Sequence, residues 1–122
     1  MEGKKFSILD RIKSFKYAFE GLKFFFVNEH NGRVHFGAAF FAIGLSFYLK
    51  ISNLEWIAII SVIAVVFTAE IFNSAIEKLA DAVTLEINPQ IKIIKDLAAG
   101  AVLVTAVLAA LVGGIIFLPK LF

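Results

Sequence analysis

The stretch VVFTAEIFNSAIEKLAD, residues 65–81, decides how this chain folds and where its chemistry lies. It carries an apolar segment of membrane-spanning character directly into a row of carboxylates. On a helix that turns about 100° per residue, a single stripe holds the polar side chains Glu70, Asn73, Ser74, Glu77 and Asp81. Because a carboxylate inside a bilayer costs about 2.5–3.5 kcal/mol, this stripe of acids indicates a functional site.

The composition predicts an all-α membrane protein. The 122 residues are 60% hydrophobic, and their mean hydropathy of +0.87 is well above that of soluble domains. Apolar segments predict three transmembrane helices, over residues 34–50, 54–82 and 95–118. Residues 7–28 place apolar side chains at helical spacing opposite a basic face, which predicts an amphipathic surface helix within residues 1–30. The same pattern is also typical of a helix that packs on the bundle, and both can hold. We therefore expect a single domain over residues 1–122.

Local signals predict where these helices begin and end. Ser7 is the expected N-cap of the surface helix, and Asn31-Gly32 is expected to separate that helix from the first span. The loop before the last span contains Asn88-Pro89. Lys95-Asp96 is expected to open the last helix and Pro119 to end it.

The basic residues are distributed asymmetrically along the chain. Seven of the twelve Lys and Arg residues precede the first span. Lys78, Lys92 and Lys95 lie at or near the loop that joins the second and third spans, so only Lys50 and Lys120 fall on the opposite side. The positive-inside rule then predicts a multi-pass protein of the cytoplasmic (inner) membrane whose N-terminus is cytoplasmic. A net charge of +2 is too small to indicate nucleic-acid binding, and the absence of cysteine excludes disulfide and thiol chemistry.

Three polar clusters are expected at the cytoplasmic edge of the membrane: the acidic stripe of residues 70–81, the polar run of residues 28–35, and Lys95-Asp96. Residues 54–69 rise about 24 Å as a helix, which places Glu70 near the inner edge of a hydrocarbon core about 30 Å thick. Carboxylates suit Mg²⁺, a lysine suits phosphate, and an acid can accept the proton of a hydroxyl. These groups favour phosphoryl transfer at a lipid headgroup, although no Walker A motif is present.

The motif AEIFNSAIEKLAD (residues 69–81), followed by KDLAAGAV (residues 95–102), resembles the signature of the small bacterial integral-membrane lipid kinases, the diacylglycerol kinase and undecaprenol kinase family. The resemblance extends over about residues 15–122. Features that resemble the undecaprenol kinase branch are the run from Glu29 to His35, Leu54–Trp56, Asn88-Pro89 and the FLPKL ending. The resemblance implies a homotrimeric helical bundle that combines neighbouring subunits in each active site. It also implies that ATP and Mg²⁺ serve to phosphorylate the undecaprenol hydroxyl.

The resemblance also implies roles for matching residues. Glu70 matches the general base for the lipid hydroxyl, and Asn73 matches the residue that positions this hydroxyl. Glu29 and Glu77 match the carboxylates that hold Mg²⁺. Positions that match nucleotide contacts are Tyr17, Glu86, Asn88, Lys95 and Asp96.

One position departs from the family pattern. Family members with an N-terminal nucleotide-contacting arginine have it where this chain has Asp10, which leaves Arg11 or Lys13 as substitutes.

Other interpretations stay open at this point. Diacylglycerol is the alternative substrate, because the apolar residues do not discriminate between lipid alcohols. A small proton-coupled transporter, with Glu70 as the cycling acid, is a more distant alternative; the acids lie at one membrane face rather than at the midplane. Individual residues have structural alternatives too: Asp81 as the partner of a lysine, and His35 as a residue bonded to a neighbour.

Overall fold

The computed structural model describes residues 5–122, which form four α-helices. The helices are α1 (Ile8–Asn28), α2 (His30–Tyr48), α3 (Asn53–Val83) and α4 (Pro89–Leu121). The all-helical prediction is therefore confirmed. Helix α1 lies within the predicted surface segment. Helices α3 and α4 include the predicted spans 54–82 and 95–118, whereas α2 ends at Tyr48, two residues before the predicted end of the first span. The start of the predicted surface segment, residues 1–4, lies outside the described residues.

Side-chain caps explain where three of the helices begin. The Ser7 side chain accepts a hydrogen bond from the Asp10 N–H at 3.4 Å, which confirms the predicted N-cap of α1. Ser52 and Glu55 form a capping box at the start of α3. Asn88 Oδ1 accepts from the N–H groups of residues 90 and 91 at 2.9 and 3.3 Å, and this cap lets α4 begin at Pro89.

Three predicted boundaries were wrong. The break after α1 occurs at Glu29, whose backbone is extended, so Asn31-Gly32 lies inside α2. Helix α4 begins at Pro89 rather than Lys95. The Asn88 side chain caps the helix there, ahead of the apolar segment from which the third span was predicted. Pro119 lies within the last turn of α4, where the loss of one backbone hydrogen bond does not stop the helix from continuing to Leu121.

Helices α3 and α4 form an antiparallel pair that is joined by an ion pair at each end. Lys95 Nζ lies 2.8 Å from Asp81 Oδ1 at one end, and Lys120 Nζ lies 3.3 Å from Glu55 Oε2 at the other. The main apolar cluster lies beside the second ion pair and includes Ile51, Ile59 and Ile116. The two ion pairs therefore define the register of the longest helices.

By length and composition, α3 and α4 are the helices of residues 5–122 that could cross a membrane. Helix α2 is shorter, and its first two turns contain His30, Asn31, Arg33 and His35. Large apolar side chains are exposed around the bundle, including Phe40 at 74% and Val104 at 70%. A bilayer or a neighbouring subunit would cover such a surface.

The α1–α2 junction is held by close packing. Gly32 on α2 is buried against the last turn of α1, and a Cβ atom at this position would overlap the carbonyl oxygen of Phe25. Next to this contact, the rings of Phe25, Phe26 and Phe67 pack edge to face with centroids 5.4–6.4 Å apart. The junction therefore connects α1 and α2 to the middle of α3.

We predict that Gly32→Ala destabilises the protein, whereas Gly37→Ala does not. Alanine at position 32 must push α1 away, which should lower the free energy of unfolding by about 1–3 kcal/mol. Gly37 lies on the same helix, and a methyl group there would have no neighbouring atom within 4 Å, so alanine should be neutral or stabilising by up to about 1 kcal/mol. Thermal unfolding in detergent would measure both changes. Equal effects would contradict the close-contact explanation.

Candidate active site

Glu70 is a buried acid near the centre of α3. The residue is 4% exposed, and its Oε1 atom lies 2.6 Å from His35 Nε2 of α2. This contact links the acidic stripe to the polar run at the start of α2. This contact agrees with the structural alternative for His35, in which the histidine interacts with a neighbouring side chain.

Asn73 lies one turn after Glu70 and has an unsatisfied acceptor. Its Oδ1 atom is buried and receives no hydrogen bond from residues 5–122. A buried acceptor without a donor costs about 1–3 kcal/mol. The side chain is therefore suited to receive a hydrogen bond from a hydroxyl group that arrives beside Glu70.

A second ion pair connects the α1–α2 break to α3. Lys78 Nζ lies 2.9 Å from Glu29 Oε1, and the same ammonium group lies 4.9 Å from the centre of the Phe24 ring. Lys78 therefore pairs across helices rather than with the adjacent Glu77. The pair lies beside a cleft of about 500 Å³ between α1 and α3, which also contains Ser74.

The acidic stripe does not converge on one point within a single chain. Glu70 faces α2, whereas Asp81 at the other end of the stripe pairs with Lys95 of α4 at 2.8 Å. The structural alternative for Asp81 is therefore confirmed. Glu77, between them, is exposed. Asp96 forms an exposed pair with Lys92 at 2.6 Å.

The other residues matched to nucleotide contacts lie on exposed segments. Tyr17 is 63% exposed on α1. Glu86 lies in the α3–α4 loop, where its N–H donates to Thr84 Oγ1 at 3.0 Å. The Asn88 side chain caps α4, and this local structural role explains its place in the loop without a nucleotide. Near the start of α1, the Arg11 guanidinium lies 5.8 Å from the centre of the Phe6 ring, and Asp10 is exposed.

The carboxylates fit a magnesium ion that arrives with phosphate. Across residues 5–122, no group of three or more acidic, histidine or cysteine side chains could hold a metal ion. Glu29 is half-buried and Glu77 is exposed, so each offers hard oxygen ligands from a different helix or junction. Mg²⁺ is typically bound by one or two carboxylates together with substrate phosphates. This donor set fits such an ion and does not fit a site made of protein ligands alone.

An apolar groove extends away from the His35–Glu70 pair between α2, α3 and α4. Its volume is about 250 Å³, and among the described residues that line it only His35 is polar. Small residues create this space, with Ala38 and Ala42 on one helix facing Ala106 and Ala109 on another. Sequence reasoning missed the groove, although the spacing of these alanines along each helix was a usable signal.

Comparison with known proteins decides the family. The family model described as prokaryotic diacylglycerol kinase matches residues 16–117. The chain belongs to this family. As a member of the prokaryotic diacylglycerol kinase family, the protein is a lipid kinase, and its apolar helices are those of a membrane protein. The family resemblance of the sequence motifs is thereby confirmed.

The relatives of this chain are named as kinases of two different lipids, undecaprenol and diacylglycerol. The chain is 39% identical over 109 residues to the undecaprenol kinase of Bacillus subtilis (strain 168), covering 89% of each protein. It is 36% identical over 113 residues to the diacylglycerol kinase of a Synechocystis strain, covering 88% of this chain and 62% of the relative. It is 34% identical over 107 residues to the diacylglycerol kinase of Haemophilus influenzae, covering 87% and 91%.

We predict that Asn73→Leu separates activity from stability. Leucine removes a buried acceptor that has no donor, so the free energy of unfolding should stay constant or rise by about 1 kcal/mol. Lipid phosphorylation should nevertheless fall at least about tenfold, because the hydroxyl loses a hydrogen-bond partner. Unfolding and turnover would be measured on the same preparation. A strongly destabilised Asn73→Leu protein would show instead that the amide is a structural bond.

Proposed function

We propose that this lipid kinase transfers the γ-phosphoryl group of ATP to the hydroxyl of undecaprenol at the cytoplasmic face of the inner membrane. The observation that carries the proposal is a buried carboxylate, Glu70, beside an apolar groove that has one polar end. An aliphatic chain in the groove would bring its hydroxyl to that end. The similarity to the Bacillus subtilis undecaprenol kinase supports this substrate.

Diacylglycerol is the second candidate substrate. Several relatives that are 29–36% identical to the chain are named diacylglycerol kinases. A groove lined by alanines can accept either lipid, because apolar contact discriminates weakly between hydrocarbon chains. Membership of a kinase family leaves the proton-coupled transporter without support.

Glu70 and Asn73 supply the proton chemistry in this proposal. On arrival the lipid hydroxyl donates to Asn73 Oδ1, the acceptor that has no donor in the described chain. In the reacting position Glu70 accepts the hydroxyl proton, and the lipid oxygen forms its bond to the γ-phosphorus. The bond from that phosphorus to the β–γ bridging oxygen breaks, so ADP leaves with the electron pair.

Positive groups near the acids would receive the nucleotide. Glu29 and Glu77 would hold Mg²⁺, which neutralises charge on the phosphates when it is bound. Lys95 can exchange Asp81 for a phosphate, since exposed ion pairs are weak and a phosphate carries more charge. Asp96, Glu86, Asn88 and Tyr17 remain proposed nucleotide contacts on the strength of the family resemblance.

The membrane topology and oligomeric state are also part of the proposal. Helices α2, α3 and α4 span the membrane, α1 lies on its cytoplasmic surface, and the N-terminus is cytoplasmic, as the basic residues indicate. A homotrimer would cover the exposed apolar faces. It would also complete the acidic stripe, whose two ends contact different helices, α2 and α4, within one chain. Native mass spectrometry in detergent should give a mass of three chains. A monomer that retains full activity would contradict the shared site.

We predict that the purified protein phosphorylates undecaprenol in preference to diacylglycerol, and that Glu70→Gln strongly lowers this activity. Both lipids would be supplied with Mg-ATP in parallel, and phospholipid product would be counted. Loss of the general base should lower turnover by about 10²–10⁴-fold. The matched control is Glu20→Gln, which changes an exposed acid on α1 and should behave like the wild type.

The outcomes of this assay are distinct. Preference for diacylglycerol would keep the mechanism and replace the substrate. Full activity of Glu70→Gln would exclude Glu70 as the base. Activity that survives removal of Mg²⁺ by EDTA would exclude the proposed role of the metal.

A further inference from the structure

Among residues 5–122, the carboxylate of Glu70 has one ion-pair partner, His35. This contact matters because Glu70 is buried. It is the single buried charged residue of the described chain, with 5% of its side chain exposed. A buried carboxylate requires hydrogen-bond donors to remain charged. His35 can supply such a donor, because its Nε2 atom lies 2.6 Å from Glu70 Oε1.

The His35 ring is itself held in place. Its side chain is 27% exposed and packs edge to face against Phe67, with ring centroids 6.5 Å apart. Phe67 precedes Glu70 by one turn on α3, so one helix supports both the ring and the carboxylate. This arrangement holds the imidazole with its Nε2 atom beside Oε1 of Glu70.

We propose that His35 is a positioning residue for phosphoryl transfer. The proposal rests on the proposed role of Glu70 as the base. In this proposal the Nε2–H group of His35 donates a hydrogen bond to Oε1 of Glu70. The other carboxylate oxygen, Oε2, is then left to accept the hydroxyl proton. His35 keeps its own proton throughout and does not contact the reacting atoms. It acts by holding the base in one rotamer beside the polar end of the groove.

The first experiment compares three variants in the lipid phosphorylation assay. His35→Leu removes the donor and should lower kcat by about 10²-fold, the usual effect of misplacing a catalytic group by about 1 Å. The KM for ATP should stay close to the wild-type value, since the donor acts on the base alone. His35→Gln should recover most of kcat, because its amide N–H can donate to Glu70. His30→Gln is the matched control: it changes the other histidine, which is exposed on the same helix.

A double variant tests whether His35 acts through Glu70. In a Glu70→Gln background, His35→Leu should cause no further loss of turnover, because the two residues act as a unit. Two independent, multiplied losses would overturn the proposal. Wild-type turnover of Glu70→Gln would refute the proposed function itself. An inactive Glu70→Gln combined with wild-type kcat in His35→Leu would refute the role of His35 alone.

A spectroscopic measurement keeps the proposal testable if His35→Leu does not fold. The chain has two histidines, so ¹⁵N spectra of histidine-labelled protein contain two imidazoles, which His30→Gln assigns. Glu70→Gln should shift the Nε2 resonance of His35 and leave that of His30 in place. An unchanged His35 resonance, or a folded His35→Gln protein as inactive as His35→Leu, would overturn the proposal.

Discussion

The close contact between His35 and Glu70 is the interaction on which the candidate site depends. It joins α2 to α3, and it does so with a carboxylate that is almost completely removed from water. Such a group is tolerated because a donor lies at short distance. The same contact places a carboxylate near the polar end of an otherwise apolar groove, where the proposed proton acceptor is needed.

The position of His35 in turn depends on how closely α2 approaches α1. Gly32 allows the two backbones to touch, and the break at Glu29 redirects the chain just before this contact. Aromatic rings from α1 and α3 fill the space around the junction. Helix α1 is thus connected to the candidate site by packing.

Three of the remaining acids of the site form ion pairs with lysines of the same chain. Lys78 neutralises Glu29, Lys95 neutralises Asp81, and Lys92 neutralises Asp96. These pairs are largely exposed and therefore weak, which suits groups that must change partners when phosphates arrive. These three ion pairs offset part of the negative charge of the proposed nucleotide site, which would otherwise repel ATP more strongly.

The sequence by itself determined the helical class, the Ser7 cap, the family and the acidic stripe, because periodicity, capping and a contiguous motif are each local to a few turns of one helix. It misplaced three helix boundaries. The extended backbone of Glu29 and the Asn88 cap, which set two of them, were not predicted by helix-breaking residues or by hydropathy.

Only the tertiary structure decided which residues meet across helices. His35 and Glu70 are 35 positions apart, so no periodicity in the sequence pairs them. The groove likewise requires three helices at their observed spacing, since each contributes only a row of small side chains. Partner choice depends on helix crossing and rotation, which are set by close contacts between helices rather than by any single segment.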